Sequence, residues 1–243
     1  MKNKFLLLSL SILILMGCAS NEKEDAEPPE VQLYRLAQDR INAQNYLGAV
    51  DSLVRIERFY PFVVYAEQAR ADLIYAHYMS GDYDQAYAAS EKFIRLYPRN
   101  TNVDYAYFMK GMTGYYADEG LLGNLFSLSL AKRDISGAMQ SYADLTEFLI
   151  RYPESEYAGN AKQRMVYLRN LIAKQEIYIA EYYIERKAYV AAVNRANYVI
   201  KHMSRTPEVV KALEISIIAY KELGKNDLAK EAEDVLKAYK ENI

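Results

Sequence analysis

The stretch NYLGA at residues 45–49 recurs 37 residues further along the chain as DYDQA at residues 82–86. More distant copies of the pattern follow as DISGA at 134–138, AYVAA at 188–192 and KNDLA at 225–229. Every copy ends in an alanine, and the aligned positions are Ala49, Ala86, Ala138, Ala192 and Ala229. A small residue at one fixed place is needed where paired helices approach each other closely. The pattern therefore predicts a fold built from one repeated structural unit.

Prolines recur at a regular distance from these alanines. Pro61 and Pro98 follow their alanines by 12 residues, whereas Pro153 and Pro207 follow theirs by 15. Because proline cannot continue the hydrogen-bond ladder of a helix, each proline is predicted to end the second helix of its repeat. A 37-residue spacing with a fixed alanine-to-proline offset resembles the tetratricopeptide repeat, a helix–turn–helix unit of about 34 residues.

Apolar side chains are spaced by three and four residues from Val31 onward, which indicates amphipathic helices. The predicted fold is an all-α tetratricopeptide-repeat solenoid of about five helix–turn–helix repeats, or about ten helices. The predicted repeats span about 31–63, 64–100, 101–155, 156–208 and 209–243. The predicted buried faces are Leu33, Ala37 and Ile41; Ala66, Ala69, Leu73 and Ala76; Ala138, Tyr142, Leu145 and Leu149; and Val210, Leu213, Ile217 and Tyr220.

Two intervals between repeats are longer than the others. The first contains residues 116–133, an apolar stretch with glycines that is predicted to form a long loop between helices. This loop either packs back onto the solenoid or forms a surface for a partner, and both interpretations remain open. The second contains residues 157–183, whose unbroken helical pattern predicts one helix of about 27 residues.

Residues 1–17 are predicted to be a signal peptide, with Lys2 and Lys4 before an apolar run that is too short to span a bilayer. The run ends in LMGC at residues 15–18, which resembles a bacterial lipobox. We expect Cys18 to carry an N-acyl diacylglyceryl lipid that anchors the chain stably, although an ordinary signal with a chance cysteine is the alternative. Residues 18–30 form a polar tether. Ala19 after the cysteine favours the inner leaflet of the outer membrane, with the folded part facing the periplasm.

Composition and motifs exclude most kinds of chemistry. The chain has one cysteine, and its two histidines match no metal-binding spacing, so no metal site and no intrachain disulfide is expected. No phosphate-loop motif and no GxSxG motif is present, which predicts no catalytic residue, no cofactor beyond the Cys18 lipid and no enzymatic activity. A formal net charge of -2 argues against nucleic-acid binding. His77 is predicted to be a packed histidine, and Glu67, Asp72, Glu91 and Glu147 to be solvated or paired within their own helix.

An ordered set of segments resembles one family. They are RFYPF at 58–62, FIRLYP at 93–98, NVDY at 102–105, KG at 110–111, RD at 133–134, RYPES at 151–155 with Tyr157, AEYY at 180–183 with Arg186, and AAVNR at 191–195. Together with the lipobox and the two long intervals, this set resembles the BamD family of outer-membrane protein assembly lipoproteins over nearly the whole mature chain. The resemblance implies partners: the β-barrel subunit BamA through its POTRA domains, other Bam lipoproteins, and unfolded outer-membrane β-barrel precursors.

The resemblance also suggests site residues. Tyr60, Pro61 and Phe62 match a segment of the precursor-binding groove, although Tyr-Pro could instead only end the second helix of the first repeat. Asn194 and Arg195 match the region that contacts the POTRA domains, and the alternative for Arg195 is an ordinary surface arginine. Two other functions stay open from the sequence: a different tetratricopeptide-repeat lipoprotein that docks cell-wall enzymes, and an enzyme or enzyme subunit such as a lytic factor.

Overall fold

The computed structural model describes residues 28–117 and 135–241, and within these ranges the chain forms ten α-helices and no strand. This confirms the predicted all-α class. The helices are α1 (Glu30–Asn42), α2 (Tyr46–Phe59), α3 (Ala66–Met79), α4 (Tyr83–Leu96), α5 (Val103–Ala117), α6 (Ser136–Arg151), α7 (Ala158–Glu185), α8 (Tyr189–His202), α9 (Glu208–Glu222) and α10 (Asn226–Glu241). Each helix packs against the next one in the chain, so the helices form a row of antiparallel hairpins.

Four of the hairpin turns adopt the same backbone conformation. The chain takes a left-handed conformation directly after α1, α3, α7 and α9, at Gln44 (φ 58°), Gly81 (φ 81°), Lys187 (φ 60°) and Gly224 (φ 68°). The next residue donates back into the last turn of the helix, as in the bond from Asn45 N–H to the Arg40 carbonyl at 2.8 Å. This is the Schellman arrangement, which satisfies carbonyls that the helix end leaves unpaired. Two of the four positions carry a side chain where glycine is favoured.

The aligned alanines are all buried, as the repeat pattern predicts. Ala49, Ala86 and Ala192 are fully inaccessible, and Ala138 and Ala229 are 2% exposed. In the first two repeats the residue before the second helix also caps it. The Asn45 side chain accepts from Gly48 N–H at 3.1 Å, and the Asp82 side chain accepts from Gln85 N–H at 3.4 Å. The NYLGA and DYDQA stretches therefore encode a capped helix start followed by a close contact.

Three of the four prolines end helices as predicted. Tyr60, Tyr97 and Tyr152 directly follow α2, α4 and α6 and are each followed by proline. They share a non-helical backbone conformation near φ -130°. The prediction is wrong for Pro207. Helix α8 already ends at His202, and Pro207 instead lies immediately before α9. Proline fits there because the first residues of a helix need no N–H donor.

Two other helix predictions have different outcomes. The long uninterrupted helix is confirmed as α7, whose 28 residues span about 42 Å. The face predicted for α9 is shifted by one residue, since Val210, Ile217 and Tyr220 are only half-buried. The buried positions of α9 are Val209, Ala212, Leu213, Ile215, Ser216 and Ala219. Leu213 was predicted correctly, whereas the small residues Ala212, Ser216 and Ala219 were missed because the prediction followed large apolar residues.

The buried side chains form two clusters. The first lies within α1, α2 and α3 around Leu33, Leu53, Ile56 and Leu73. The second extends from α3 to α9 and includes Phe93, Phe108, Phe148, Leu168 and Val199. The predicted signal peptide 1–17, Cys18 and nearly all of the 116–133 stretch lie outside the described residues. The predicted repeat boundaries stay predictions.

Candidate functional site

The first predicted site lies at the turn between α2 and α3. Tyr60 caps the end of α2, with its N–H donating to the Ile56 carbonyl at 2.8 Å, and its half-buried side chain donates from the hydroxyl to the Pro28 carbonyl at 3.1 Å. Pro61 is half-buried beside it, whereas Phe62 is 98% exposed. Tyr60 therefore holds the start of the described chain against the end of α2. Phe62 presents a large apolar side chain to solvent.

An aromatic stack and a carboxylate continue this surface onto α1 and α3. The Tyr65 ring stacks on the Tyr34 ring, with centroids 4.9 Å apart and planes 14° apart. The Tyr34 hydroxyl donates to Asp72 at 3.0 Å, while Gln38 and Gln68 donate to the same carboxylate at 2.6 and 2.8 Å. Burial raises the pKa of Tyr34, and the negative charge of Asp72 raises it further. Three donors thus fix Asp72 as the centre of a network joining α1 to α3.

This network corrects the prediction for Asp72, whereas Glu67 and Glu91 are exposed as predicted but also have partners outside their own helix. Glu147 does pair with Arg151 of its own helix, at 2.8 Å. Asp72, however, has two partners on α1, and Glu91 contacts Lys110 of α5 at 3.3 Å. Glu67 accepts from Asn100 at 2.7 Å across the turn that follows α4. A single sequence does not reveal such partners because they come from residues 19 to 38 positions away.

A cleft of about 400 Å³ adjoins Asp72 between α3, α5 and the turn that precedes α7. Its polar and aromatic lining residues are Gln68, Asp72, Tyr75, Asn102, Asp104, Tyr105, Glu156 and Tyr157. The Tyr105 and Tyr157 rings contact each other at 5.7 Å, and burial raises the pKa of Tyr105. The sequence analysis named Asp72 only as a solvated or paired carboxylate, and the NVDY segment at 102–105 and Tyr157 only as parts of the family resemblance. It did not place these residues together in one cleft, because their spacing along separate helices does not show which helices pack side by side.

The second predicted site lies on α8. Asn194 and Arg195 are both exposed. One guanidinium nitrogen of Arg195, Nη1, contacts both carboxylate oxygens of Glu176 on α7, at 3.1 and 3.2 Å. The Glu176 side chain is 8% exposed and that of Arg195 is 44% exposed. Arg195 is thus a surface arginine whose inner edge neutralises a buried carboxylate.

The two predicted sites belong to different parts of the molecule. Tyr60 packs against the first buried cluster, whereas Arg195 contacts α7 beside the second. Residues 28–117 and 135–241 contain no group of histidine, cysteine and acidic side chains arranged to hold a metal ion. In the same ranges no helix combines the length and apolar character that crossing a bilayer requires. The fold and these sites define an α-helical repeat protein whose candidate sites consist of exposed aromatic and charged side chains.

Comparison with known proteins identifies the family. The model of the outer membrane lipoprotein family YfiO matches residues 26–236. The outer membrane protein assembly factor BamD of Xylella fastidiosa (strain Temecula1) is 36% identical over 94% of this chain and 79% of its own length. BamD of Vibrio cholerae is 35% identical over 90% of each chain, and BamD of Neisseria meningitidis serogroup A is 36% identical over 96% and 90%. The chain therefore belongs to this family of outer membrane lipoproteins, which includes the BamD assembly factors.

The names of the relatives also bear on enzymatic activity. They are named as assembly factors, which confirms that the family is not one of enzymes. Among solved structures, a tetratricopeptide repeat protein from Parabacteroides merdae is similar with a TM-score of 0.39 and 16% identity. That likeness covers 86% of this chain and 79% of the other.

Proposed function

We propose that this protein is a lipid-anchored scaffold of the β-barrel assembly machinery, holding BamA and partner Bam lipoproteins and receiving unfolded β-barrel precursors. The observation that carries the proposal is the match to outer membrane protein assembly factors along 90% or more of the chain. A lipid on Cys18 would place the scaffold at the inner leaflet of the outer membrane, facing the periplasm. A row of helical hairpins supports this role because it offers an extended surface to several partners at once.

The proposed contact with the BamA POTRA region is Arg195 together with Asn194. Only Nη1 of the guanidinium is bonded to Glu176, so that carboxylate leaves Nε and Nη2 of a side chain that is 44% exposed for another acceptor. Arginine binds a carboxylate through two parallel N–H bonds, and a second edge can do so while the first edge is held. Glu176 would fix the orientation of Arg195 before a partner arrives, which lowers the entropy lost on binding.

The proposed precursor site is the turn formed by Tyr60, Pro61 and Phe62. An exposed aromatic ring on a turn whose backbone proline restricts is a rigid anchor for an extended chain with alternating aromatic residues. The neighbouring stack of Tyr34 and Tyr65 would extend the apolar surface. The Tyr60 hydroxyl already donates to the Pro28 carbonyl, so Phe62 is the residue of this turn with the most exposed side chain for a ligand.

Co-purification from detergent-solubilised cell envelope tests the proposal. A BamA-sized partner that is recovered with the protein, and lost with Arg195→Ala, supports the scaffold. Recovery of cell-wall enzymes without BamA would instead identify a different lipoprotein adaptor. Metabolic labelling with a fatty-acid analogue tests the anchor separately: Cys18→Ser should abolish labelling, and unchanged labelling would refute acylation at this residue.

A further inference from the structure

The ends of α2 and α4 present the same unusual pair of exposed side chains. Arg58 and Phe59 close α2, and Arg95 and Leu96 close α4 at the equivalent positions, 37 residues later. Phe59 is 49% exposed and Leu96 is 47% exposed. Arginine in the last turn is explained by the helix dipole. The Arg58 guanidinium lies over the Phe59 ring, 6.0 Å from its centroid, whereas Leu96 offers no ring to Arg95. The helix dipole does not explain why an exposed large apolar residue stands beside the arginine in two consecutive hairpins.

The nearby carboxylates do not neutralise Arg58 and Arg95. The nearby carboxylate Glu57 is already held by Arg70 at 3.0 Å and by Lys92 at 2.8 Å. Among the described residues, neither Arg58 nor Arg95 has a carboxylate within ion-pair distance, and Arg99 in the turn after α4 adds another exposed cation. In the third hairpin the corresponding pair is Ile150 and Arg151, but that cation is paired with Glu147 at 2.8 Å. Of these three hairpins, only the first two therefore end their second helix with an arginine that has no carboxylate partner among the described residues.

The chain that precedes α1 starts at this same edge. The bond from the Tyr60 hydroxyl to the Pro28 carbonyl holds the first described residues against the end of α2. Cys18 lies ten residues before Pro28 in sequence, and ten residues extend at most about 36 Å. A lipid on Cys18 would thus be attached at this edge of the fold, and the tether joins the fold here and not at the opposite ends of α2 and α4.

We propose that Arg58, Phe59, Arg95 and Leu96 form a membrane-facing edge that rests on the anionic headgroups of the bilayer holding the anchor. Arginine beside a large apolar residue is typical of surfaces in the headgroup region, since the aliphatic stem packs along the apolar neighbour while the guanidinium reaches phosphate. This inference rests on the proposed anchor at Cys18. It adds an orientation: the Tyr60–Phe62 turn would hold its ligand at the bilayer surface.

Depth-dependent fluorescence quenching tests this edge. The mature lipoprotein is reconstituted into vesicles of phosphatidylethanolamine and phosphatidylglycerol that carry a nitroxide-labelled lipid. A thiol-reactive fluorophore is attached at Val64→Cys, which is 92% exposed in the turn after α2, or at Leu47→Cys, which is 73% exposed in the first turn of α2. The 14 residues of α2 place its two ends about 21 Å apart. Strong quenching at residue 64 with weak quenching at residue 47 supports the edge, and equal quenching at both overturns it.

Charge reversal separates headgroup binding from simple proximity to the anchor. Arg58→Glu with Arg95→Glu should reduce the docked population by roughly tenfold, because each cation near an anionic surface contributes to binding. The matched control is Lys230→Glu with Lys237→Glu on α10, which makes the same change in net charge at exposed positions of the last helix. Quenching at residue 64 that survives the first double change, or falls equally with the control, overturns the proposal, as does quenching that persists without phosphatidylglycerol.

The anchor is checked in the same samples. Cys18 is the chain's only cysteine, and lipidation consumes its thiol, so protein without an introduced cysteine should not react with the fluorophore. Labelling of that protein would show that the anchor is missing. An intact anchor with equal quenching at residues 47 and 64 would instead reject the membrane-facing edge alone. Helical circular dichroism of each variant confirms that the repeats stay folded.

Discussion

The guanidinium of Arg195 holds the buried carboxylate of Glu176 through Nη1 alone, at 3.1 and 3.2 Å, and so ties α8 to the long helix α7. Arg195 consequently has a structural role besides any role in binding. Replacement of Arg195 by glutamate should therefore disturb the fold. A second carboxylate there would face Glu176 directly.

We predict that Arg195→Ala lowers the free energy of unfolding by about 1–3 kcal/mol, because Glu176 is left buried without its partner. Arg195→Glu should lower it further through repulsion between the two carboxylates. Glu176→Gln in the Arg195→Glu background should recover part of the loss, since the amide can donate to the new carboxylate. Urea denaturation followed by circular dichroism measures wild type, Arg195→Ala, Arg195→Glu, Glu176→Gln and the double variant of Arg195→Glu with Glu176→Gln. Additive effects of the two changes would show that these residues do not interact.

Binding measured for Arg195 variants must therefore be corrected for their loss of stability. The precursor site can be tested at Phe62, a residue that the fold does not bury. We predict that Phe62→Ala weakens binding of a C-terminal β-barrel precursor peptide by about 1–3 kcal/mol, the range for an aromatic anchor. The melting temperature should hardly change, because Phe62 is 98% exposed. Tyr60→Phe removes the hydroxyl that donates to the Pro28 carbonyl and serves as the control that affects stability. Fluorescence anisotropy with a labelled peptide measures affinity, and wild-type affinity for Phe62→Ala would exclude this residue from the site.

The sequence predicted the repeat better than it predicted the sites, for a physical reason. Ala49 and its equivalents are set by local chain geometry, which repeats, and all five proved buried. The prediction for Pro207 was wrong because proline is compatible both with the position after one helix and with the position before the next. The Arg195–Glu176 pair and the partners of Asp72 depend on which helices pack side by side. Periodicity within one helix does not carry that information.

Helix packing predicts opposite effects for two glycines. In α5, a Cβ on Gly111 would lie 2.5 Å from Leu145 Cδ2 and 3.1 Å from the Leu145 backbone nitrogen on α6. Gly111→Ala should therefore destabilise the fold by about 1–3 kcal/mol. In the first turn of α7, a Cβ on Gly159 meets nothing within 4 Å, so Gly159→Ala should stabilise by up to about 1 kcal/mol. Thermal melts of both variants measure these changes, and a stabilised Gly111→Ala would contradict the close contact of α5 with α6.

Substitutions at two residues with a left-handed backbone conformation, Lys187 and Gly81, should also have opposite effects on stability. We predict that Lys187→Gly raises the free energy of unfolding by roughly 1 kcal/mol, because Lys187 adopts φ 60° where glycine has no steric penalty. Gly81→Ala should lower it by a comparable amount, and steric contacts will not contribute since nothing lies within 4 Å of the added Cβ. Urea midpoints measure both. If the two substitutions shift the midpoint in the same direction, backbone strain at these turns is not the cause.

The pH dependence of stability should report on His77. This histidine is 8% exposed in α3, and burial lowers its pKa, although the carboxylate of Asp82, 3.6 Å from Nδ1, opposes the shift. The unfolded chain, with a histidine pKa of about 6.5, therefore binds a proton more readily than the folded chain does. Linkage then requires that stability is fully present above the unfolded pKa and falls as the pH drops below it.

We predict that the wild-type protein loses free energy of unfolding between pH 7.5 and pH 5.5 by roughly 1 kcal/mol. The variant His77→Gln should show a flatter dependence over this range. His202→Gln is the control, because His202 is exposed at the end of α8. The lowered pKa of Glu57, which burial opposes and Lys92 and Arg70 produce, acts only in more acidic solution and does not interfere. Urea melts at four pH values measure the slopes, and identical slopes for wild type and His77→Gln would show that His77 does not resist protonation in the fold.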